Sequence, residues 1–259
     1  MGFDIAYLSY RKIWNQVYLD ATKYDLARFK MLYPIKRAGL IIAGMLSEMT
    51  GAKITYKRKK ADLWVDDSIG EGETVKKLRK TYDFKLYCPT VVERNKGWVD
   101  FPGMLVPDSQ WIILPWDFDI LTEIPFKVGY DLDGVLAANL EGDIDSKIDC
   151  SKLFSNLKPL LKPKGKVQFI ITARYQQDKE ITEKWLTKYG IKYDKLIIVG
   201  SPEAQNLLLL KAQKINDNKI DIFVESKDDD AEVLSVLTSS LVLCFSTGSA
   251  YRGGKRVDY

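Results

Sequence analysis

The sequence predicts an α/β protein of two domains, residues 1–122 and 123–259, each built on a parallel sheet. Three observations carry this. A chain of 259 residues exceeds one average domain of ~150. Short apolar runs alternate with helical patterns in both halves, which implies parallel strands with sites at their C-terminal ends. The charge divides as well: the whole formal excess of +4 lies before Glu123, and the rest of the chain is balanced.

The elements come in this order. Residues 11–24 read as a helix and 29–35 as a strand. Residues 40–50 carry one apolar face and stop at Gly51, a usual helix terminator. Residues 63–65 form a short strand running into Asp66-Asp67; 74–82 is a helix and 84–92 another strand. The junction falls at 123–126, with no Gly/Ser linker. Beyond it, 127–131, 167–172, 196–199 and 220–225 are short buried strands. Ile181, Trp185, Leu186 and Tyr189 share one face of a helix that Gly190 ends.

Composition narrows the chemistry. Apolar residues make up 46% and charged residues 29%, enough to bury a core. There is no histidine, which removes Ser-His-Asp and Cys-His catalysis and imidazole-bound zinc. Carboxylate, lysine, hydroxyl and backbone-amide chemistry remain, with Mg²⁺ the natural cofactor. Cys88, Cys150 and Cys244 are isolated and imply no disulfide framework. No apolar run approaches the ~18 residues of a membrane span, and the opening residues lack a secretory apolar core. A cytoplasmic protein without membrane contact is expected. A charge of +4 is too mild to make nucleic acid the expected partner, and Lys53 with Lys57, Arg58, Lys59 and Lys60 reads as a solvated loop.

The sharpest motif is Asp131-Leu132-Asp133-Gly134 at the end of an apolar strand. Alone, it is equally a strand followed by an Asp-Gly turn. Downstream come Thr172 at a strand end, Lys211, and Glu225 with Asp229 four residues on. That order suits phosphoryl transfer: one carboxylate attacks phosphorus, the next handles the leaving-group proton, a hydroxyl and an ammonium hold phosphate oxygens, and distal acids hold Mg²⁺. Residues 126–251 resemble the haloacid dehalogenase superfamily of phosphohydrolases. The resemblance implies a Rossmann-like domain with Asp131 as nucleophile, Asp133 as general acid/base, Thr172 as phosphoryl ligand and Lys211 as the neutralising lysine, with Lys214 its rival. It implies a metal site of Asp131, Asp133, Glu225 and Asp229. The family commonly has adjacent aspartates in the last motif; here Glu225 precedes Ser226. Only 38 residues separate Asp133 from Thr172, room for a minimal cap alone. Arg174 and the Trp185-Leu186 helix also look like the phosphatase half of phage-type polynucleotide end-healing enzymes, so a polynucleotide-end phosphate stays open as substrate.

The first half holds a second signal. Strand 63–65 runs into Asp66-Asp67, then into Gly70-Glu71-Gly72-Glu73-Thr74 and a helix. Such a loop offers backbone N–H groups to an anion; the plainer alternative is an acidic turn complementing a helix dipole. Residues 9–117 resemble the type I phosphoribosyltransferases, most of all the small xanthine-guanine enzymes. The resemblance implies a pyrophosphate loop at Lys36, Arg37, Ala38 and Gly39 and a ribose-phosphate loop from Asp66 and Asp67 through Gly70, Glu71, Gly72, Glu73 and Thr74. It implies a base site at Trp111, Ile112 and Glu93. Three departures touch chemistry. Gly70 stands where the family has an aspartate, Glu71 and Glu73 enter the phosphate loop, and Glu93 replaces a base-reading lysine. The small phosphoribosyltransferases commonly form oligomers, which implies a homo-oligomer here.

The expected function is therefore a bifunctional nucleotide-metabolism enzyme. It would transfer phosphoribose to or from an unusual base and hydrolyse a nucleotide or sugar phosphate with Mg²⁺. Its partners would be small: a nucleotide, a base or phosphoribosyl diphosphate. Two alternatives stay open: a phosphatase whose first domain only binds and presents a nucleotide, and a regulatory nucleotide-binding protein.

Overall fold

The structure, a computed structural model, describes residues 4–139, 156–201 and 206–257. Cys150 and part of the expected cap segment lie outside the described residues. The chain divides into two compact units, Met1–Leu114 and Pro115–Asp258. The divide precedes the expected boundary at Glu123 because residues 115–122 pack against the second half of the chain. The Tyr130 hydroxyl donates to the Phe118 carbonyl (2.9 Å) and the Gly165 N–H to the Thr122 hydroxyl (3.0 Å). The Phe118 ring meets Phe245 edge-on.

The first unit runs β1 (Asp4–Tyr7), α1 (Tyr10–Lys23), β2 (Met31–Pro34), α2 (Lys36–Thr50), β3 (Lys53–Ile54), β4 (Leu63–Val65), β5 (Ser68–Ile69), α3 (Glu73–Arg79), β6 (Leu86–Val92), β7 (Phe101–Val106) and β8 (Gln110–Ile113). Its main sheet has the order β3-β2-β4-β6-β5, with β7 also on β6. All these pairings are parallel. β1 and β8 form a separate parallel pair. The sequence pattern hid β7 because Pro102 and Gly103 read as turn residues.

β4 and β5 lie against β6 in one unbroken register, Val65 opposite Tyr87 and Ser68 opposite Thr90. The strand therefore does not end at the acidic pair, as expected, but is interrupted by it. Asp66 and Asp67 fall opposite the stretch of β6 that holds Pro89, a residue with no N–H to give the ladder.

The second unit runs β9 (Val128–Tyr130), β10 (Val167–Tyr175), α4 (Lys179–Lys188), β11 (Tyr193–Gly200), α5 (Leu207–Asp217), β12 (Ile222–Glu225), α6 (Asp228–Leu237), β13 (Leu241–Cys244), β14 (Ser249–Arg252) and β15 (Lys255–Arg256). The sheet order is β11-β10-β9-β12-β13-β14-β15. The first five strands are parallel and the last two antiparallel. Phe223, Ile171, Ile215, Leu234 and Val242 form one core cluster behind them. Successive connections leave β9 on one side and then the other, so its C-terminal end is a topological switch point, where ligands of open α/β sheets bind. Among the described residues no helix is long and apolar enough to cross a membrane.

Candidate functional site

In the second unit, three neighbouring parallel strands deliver polar groups to one sheet edge: Asp131 after β9, Thr172 in β10 and Glu225 ending β12. All three are buried. Lys211, on the inward face of α5 and equally buried, bridges the acids. Its ammonium lies 3.1 Å from Asp131 Oδ2 and 2.8 Å from Glu225 Oε2. The other Glu225 oxygen accepts from the Ser226 N–H (2.8 Å) and hydroxyl (3.1 Å), and Asp131 Oδ1 accepts from the Leu132 N–H (2.8 Å). Lys214, the rival, is half exposed and faces Asp217 at 3.7 Å.

The electrostatics follow from this packing. Burial, reinforced by Glu225, pushes the Asp131 carboxyl well above its ordinary range, against the pull of Lys211. Burial works the same way on Glu225, but Lys211 together with hydrogen bonds from Asp131 and the Ser226 N–H outweighs it, and the net shift is downward. Burial would lower the Lys211 ammonium, but Asp131 and Glu225 outweigh it and hold it above its usual value. With Asp131 protonated, Glu225 and Lys211 balance; ionisation of Asp131 adds a negative charge to this buried set of hard oxygens, which suits a divalent cation.

Asp133 stands apart from that cluster. Arg174 Nε and Nη2 grip its two oxygens at 2.9 and 2.6 Å, a bidentate fork. A third Arg174 nitrogen donates to Thr182 (3.0 Å), which itself donates to the Asp178 carbonyl (2.8 Å). Gly134 makes the exit. Its φ is +81°, and a Cβ there would come within 2.6 Å of Ser226. Asp229 is exposed in the first turn of α6. Among the described residues no group of three acidic side chains gathers as a metal site. The expected four-carboxylate set is thus not assembled: Asp131 and Glu225 meet, Asp133 is held by Arg174, and Asp229 lies outside because helix α6 turns it to solvent.

In the first unit, Asp66, Ser68, Ile69, Gly70, Glu71, Gly72, Glu73, Thr74 and Val75 line a cleft of about 220 Å³. Asp66 and Asp67 are nearly buried. Burial first, and the Asp67 charge second, push Asp66 well above the usual carboxylate range. The opening of α2 meets the same place. A Cβ on Gly39 would sit 2.5 Å from the Val65 carbonyl, so only glycine lets the helix press on the end of β4. The Lys36 ammonium donates to the Thr74 hydroxyl (3.0 Å), and Lys36 holds a left-handed φ of 55°, a strained conformation typical of functional loops. No side chain caps α2, and its first turn holds no acid. Lys36 and Arg37 against uncapped N–H groups is an arrangement that an anion would stabilise.

The two glutamates expected to oppose a phosphate line the cleft, but each carries a cationic partner. Glu71 pairs with Arg94 and Glu73 with Lys76. Glu93 is exposed at the start of a 3-10 turn, and Trp111 and Ile112 lie on β8, outside the main sheet. None of the three lines the cleft. Sequence reasoning missed the Arg174 fork, whose partner is 41 residues away.

Two expectations arise here. Asp66 is raised, so the native state holds a proton the unfolded chain releases, and stability falls as pH climbs from about 3.8 through the raised value. Asp66→Asn removes that fall, and its melting midpoint at neutral pH should exceed wild type. A midpoint below wild type contradicts this. Arg174→Ala frees Asp133 and leaves Thr182 without its donor. The melting midpoint should fall below that of wild type, which a thermal melt reads; an unaltered midpoint contradicts this.

No family model and no curated protein matches the chain. Among solved structures it is similar to a purine phosphoribosyltransferase from Pyrococcus horikoshii Ot3, with 19% identity over 44% of this chain and 94% of that one and a TM-score of 0.34. It is similar to a hypothetical protein from Neisseria gonorrhoeae with bound ppGpp, with 21% identity, 45% and 90% covered, and a TM-score of 0.32. It is also similar to a chain of the Pnkp1/Rnl/Hen1 complex, with 12% identity, 90% and 93% covered, and a TM-score of 0.34. At such scores these likenesses define neither a family nor a reaction, and the chemistry rests on the residues themselves.

Proposed function

We propose that this chain is a nucleotide-handling enzyme of two domains, whose second domain hydrolyses phosphate monoesters through Asp131. The observation that carries the reading is the Lys211 ammonium between buried Asp131 and Glu225 at a topological switch point. Asp131 is placed to attack phosphorus, with Thr172 and Lys211 holding phosphoryl oxygens. The ester P–O bond breaks, and Asp133, which must enter the step protonated and is oriented by Arg174, gives the leaving oxygen its proton. Asp133 then takes a proton from the water that attacks the aspartyl phosphate, freeing Asp131 and inorganic phosphate. Mg²⁺, which Asp131 and Glu225 would hold, would neutralise charge on the phosphoryl group.

The first domain, in this proposal, binds a ribose phosphate or phosphoribosyl diphosphate. Asp66 and Asp67 take ribose hydroxyls, and Lys36, Arg37 and the N–H groups of residues 38 and 70–74 take phosphate, beside the close approach that Gly39 permits. Transfer to or from a base is the fuller version. A binding-and-presenting role is favoured by one observation: residue 70 has no side chain, and open space surrounds the place its Cβ would occupy. Calorimetry with phosphoribosyl diphosphate tests the pocket: Asp67→Asn should weaken binding, and wild-type affinity in that variant argues against it. Gly70→Asp has room to fit, so transfer gained by that variant, followed as pyrophosphate, supports the presenting role for the wild type. Brisk guanine or xanthine transfer by the wild type contradicts it.

A further inference from the structure

Helix α1 carries an exposed aromatic and cationic face that neither site uses. Ile13, Val17 and Asp20 face inward and fix the helix's rotation. Asp20 is buried between Gln16 and Tyr87, which donate to it at 2.9 and 3.1 Å. The opposite side presents Trp14 at 42% exposure and Tyr18 at 61%, with Leu19 also at 61%. Trp14 and Tyr18 stand at i and i+4, about 6 Å apart along the axis. Residues four apart are neighbours on a helix surface, so the two rings form one exposed aromatic patch.

The charge on this face has one sign. Arg11 stands one turn from Trp14 and two from Tyr18, and Lys12, Leu19 and Lys23 form the adjoining column. Arg11, Lys12 and Lys23 are exposed, and the only acid on the helix, Asp20, is buried. Elements packed against α1 add exposed Arg28, Lys36 and Arg37 against exposed Asp25 and Glu48, so the cations still predominate. A second copy of the chain is a poor occupant. A two-fold contact through α1 would set these cations against their own copies, with no exposed acid on the helix to pair them. The complementary partner is a polyanion that also offers flat rings. A duplex hides its rings in the stack, whereas an unpaired strand exposes them.

We propose that this face of α1 binds single-stranded nucleic acid, with bases stacking on Trp14 and Tyr18 and phosphates on Arg11, Lys12 and Lys23. This departs from the small-molecule partners expected from the sequence, where the mild net charge concealed a one-signed helix face. The inference stands apart from the proposed phosphatase and does not rest on it.

Fluorescence anisotropy of the full-length chain with an end-labelled oligothymidylate of about twelve nucleotides tests it. Wild type should bind the single strand, and bind a duplex of equal length more weakly. Trp14→Ala and Tyr18→Ala should each raise Kd about 5–100-fold. Arg11→Ala should reduce the slope of log K against log salt by about 0.7. Because all three positions are exposed, melting midpoints and hydrolysis of p-nitrophenyl phosphate should match wild type. Loss of that hydrolysis in wild type alone would sink the phosphatase reading and leave this one intact. No binding at low salt, or aromatic variants that bind like wild type, would overturn the proposal. So would a sedimenting dimer that Trp14→Ala dissociates, since the face would then join two copies of this chain.

Discussion

Asp131→Asn is expected to abolish Mg²⁺-dependent phosphate release, with a loss on the order of 10⁴-fold or more, as nucleophile removal produces. The amide keeps the shape of the side chain and cannot attack phosphorus. The fold should survive. Asp131 is raised by burial and by Glu225, so its ionised form opposes folding at neutral pH, and stability on its account falls as pH rises above about 3.8. Without it, Lys211 and Glu225 remain as a one-to-one pair. The melting midpoint at neutral pH is therefore expected to equal or exceed wild type while turnover collapses. A variant that unfolds, or one that still releases phosphate at the wild-type rate, runs against this.

Lys211→Met should have the opposite effect on stability. It removes the one cation between Asp131 and Glu225 and leaves two carboxylates buried together. Breaking a buried ion pair from one side costs about 3–5 kcal/mol. Both carboxyls would then sit above their usual range, so the deficit should widen as pH rises through neutrality and shrink in mild acid. Adding Glu225→Gln should recover part of the loss, because one buried charge then replaces two. Denaturant melts of the three proteins at two pH values read this. An unaltered midpoint in Lys211→Met would mean that the ammonium does not carry the pair.

What the sequence revealed of the second unit was its strand ends. Asp131, Thr172 and Glu225 each follow an apolar run, and parallel pairing of β9, β10 and β12 carries all three to one edge. Lys211 was legible only through the resemblance, since nothing local marks which face of α5 turns inward. The Arg174 fork on Asp133 had no local signal, because the two residues meet only after β10 folds against β9. In the first unit the acidic pair and the glycine loop were legible, and the continuation of the strand into β5 was not. It depends on the register with β6, which no spacing within residues 63–69 encodes. The pairings of Glu71 with Arg94 and Glu73 with Lys76 lessen the expected conflict with a phosphate by giving both carboxylates a cation, although both stay in the cleft wall. Glu93, Trp111 and Ile112 show the reverse case: a resemblance placed them at a base site, and the structure puts none of them in the wall of the cleft.

Covalent phosphorylation of Asp131 can be trapped during turnover. Wild-type protein is mixed with Mg²⁺ and a nucleoside monophosphate carrying a radioactive phosphate, quenched in acid during turnover, and digested. Label is expected on the peptide containing Asp131, stable in acid, released by hydroxylamine and absent from Asp131→Asn. Phosphate release at full rate with no acid-stable label on that peptide, and undiminished in Asp131→Asn, would contradict it.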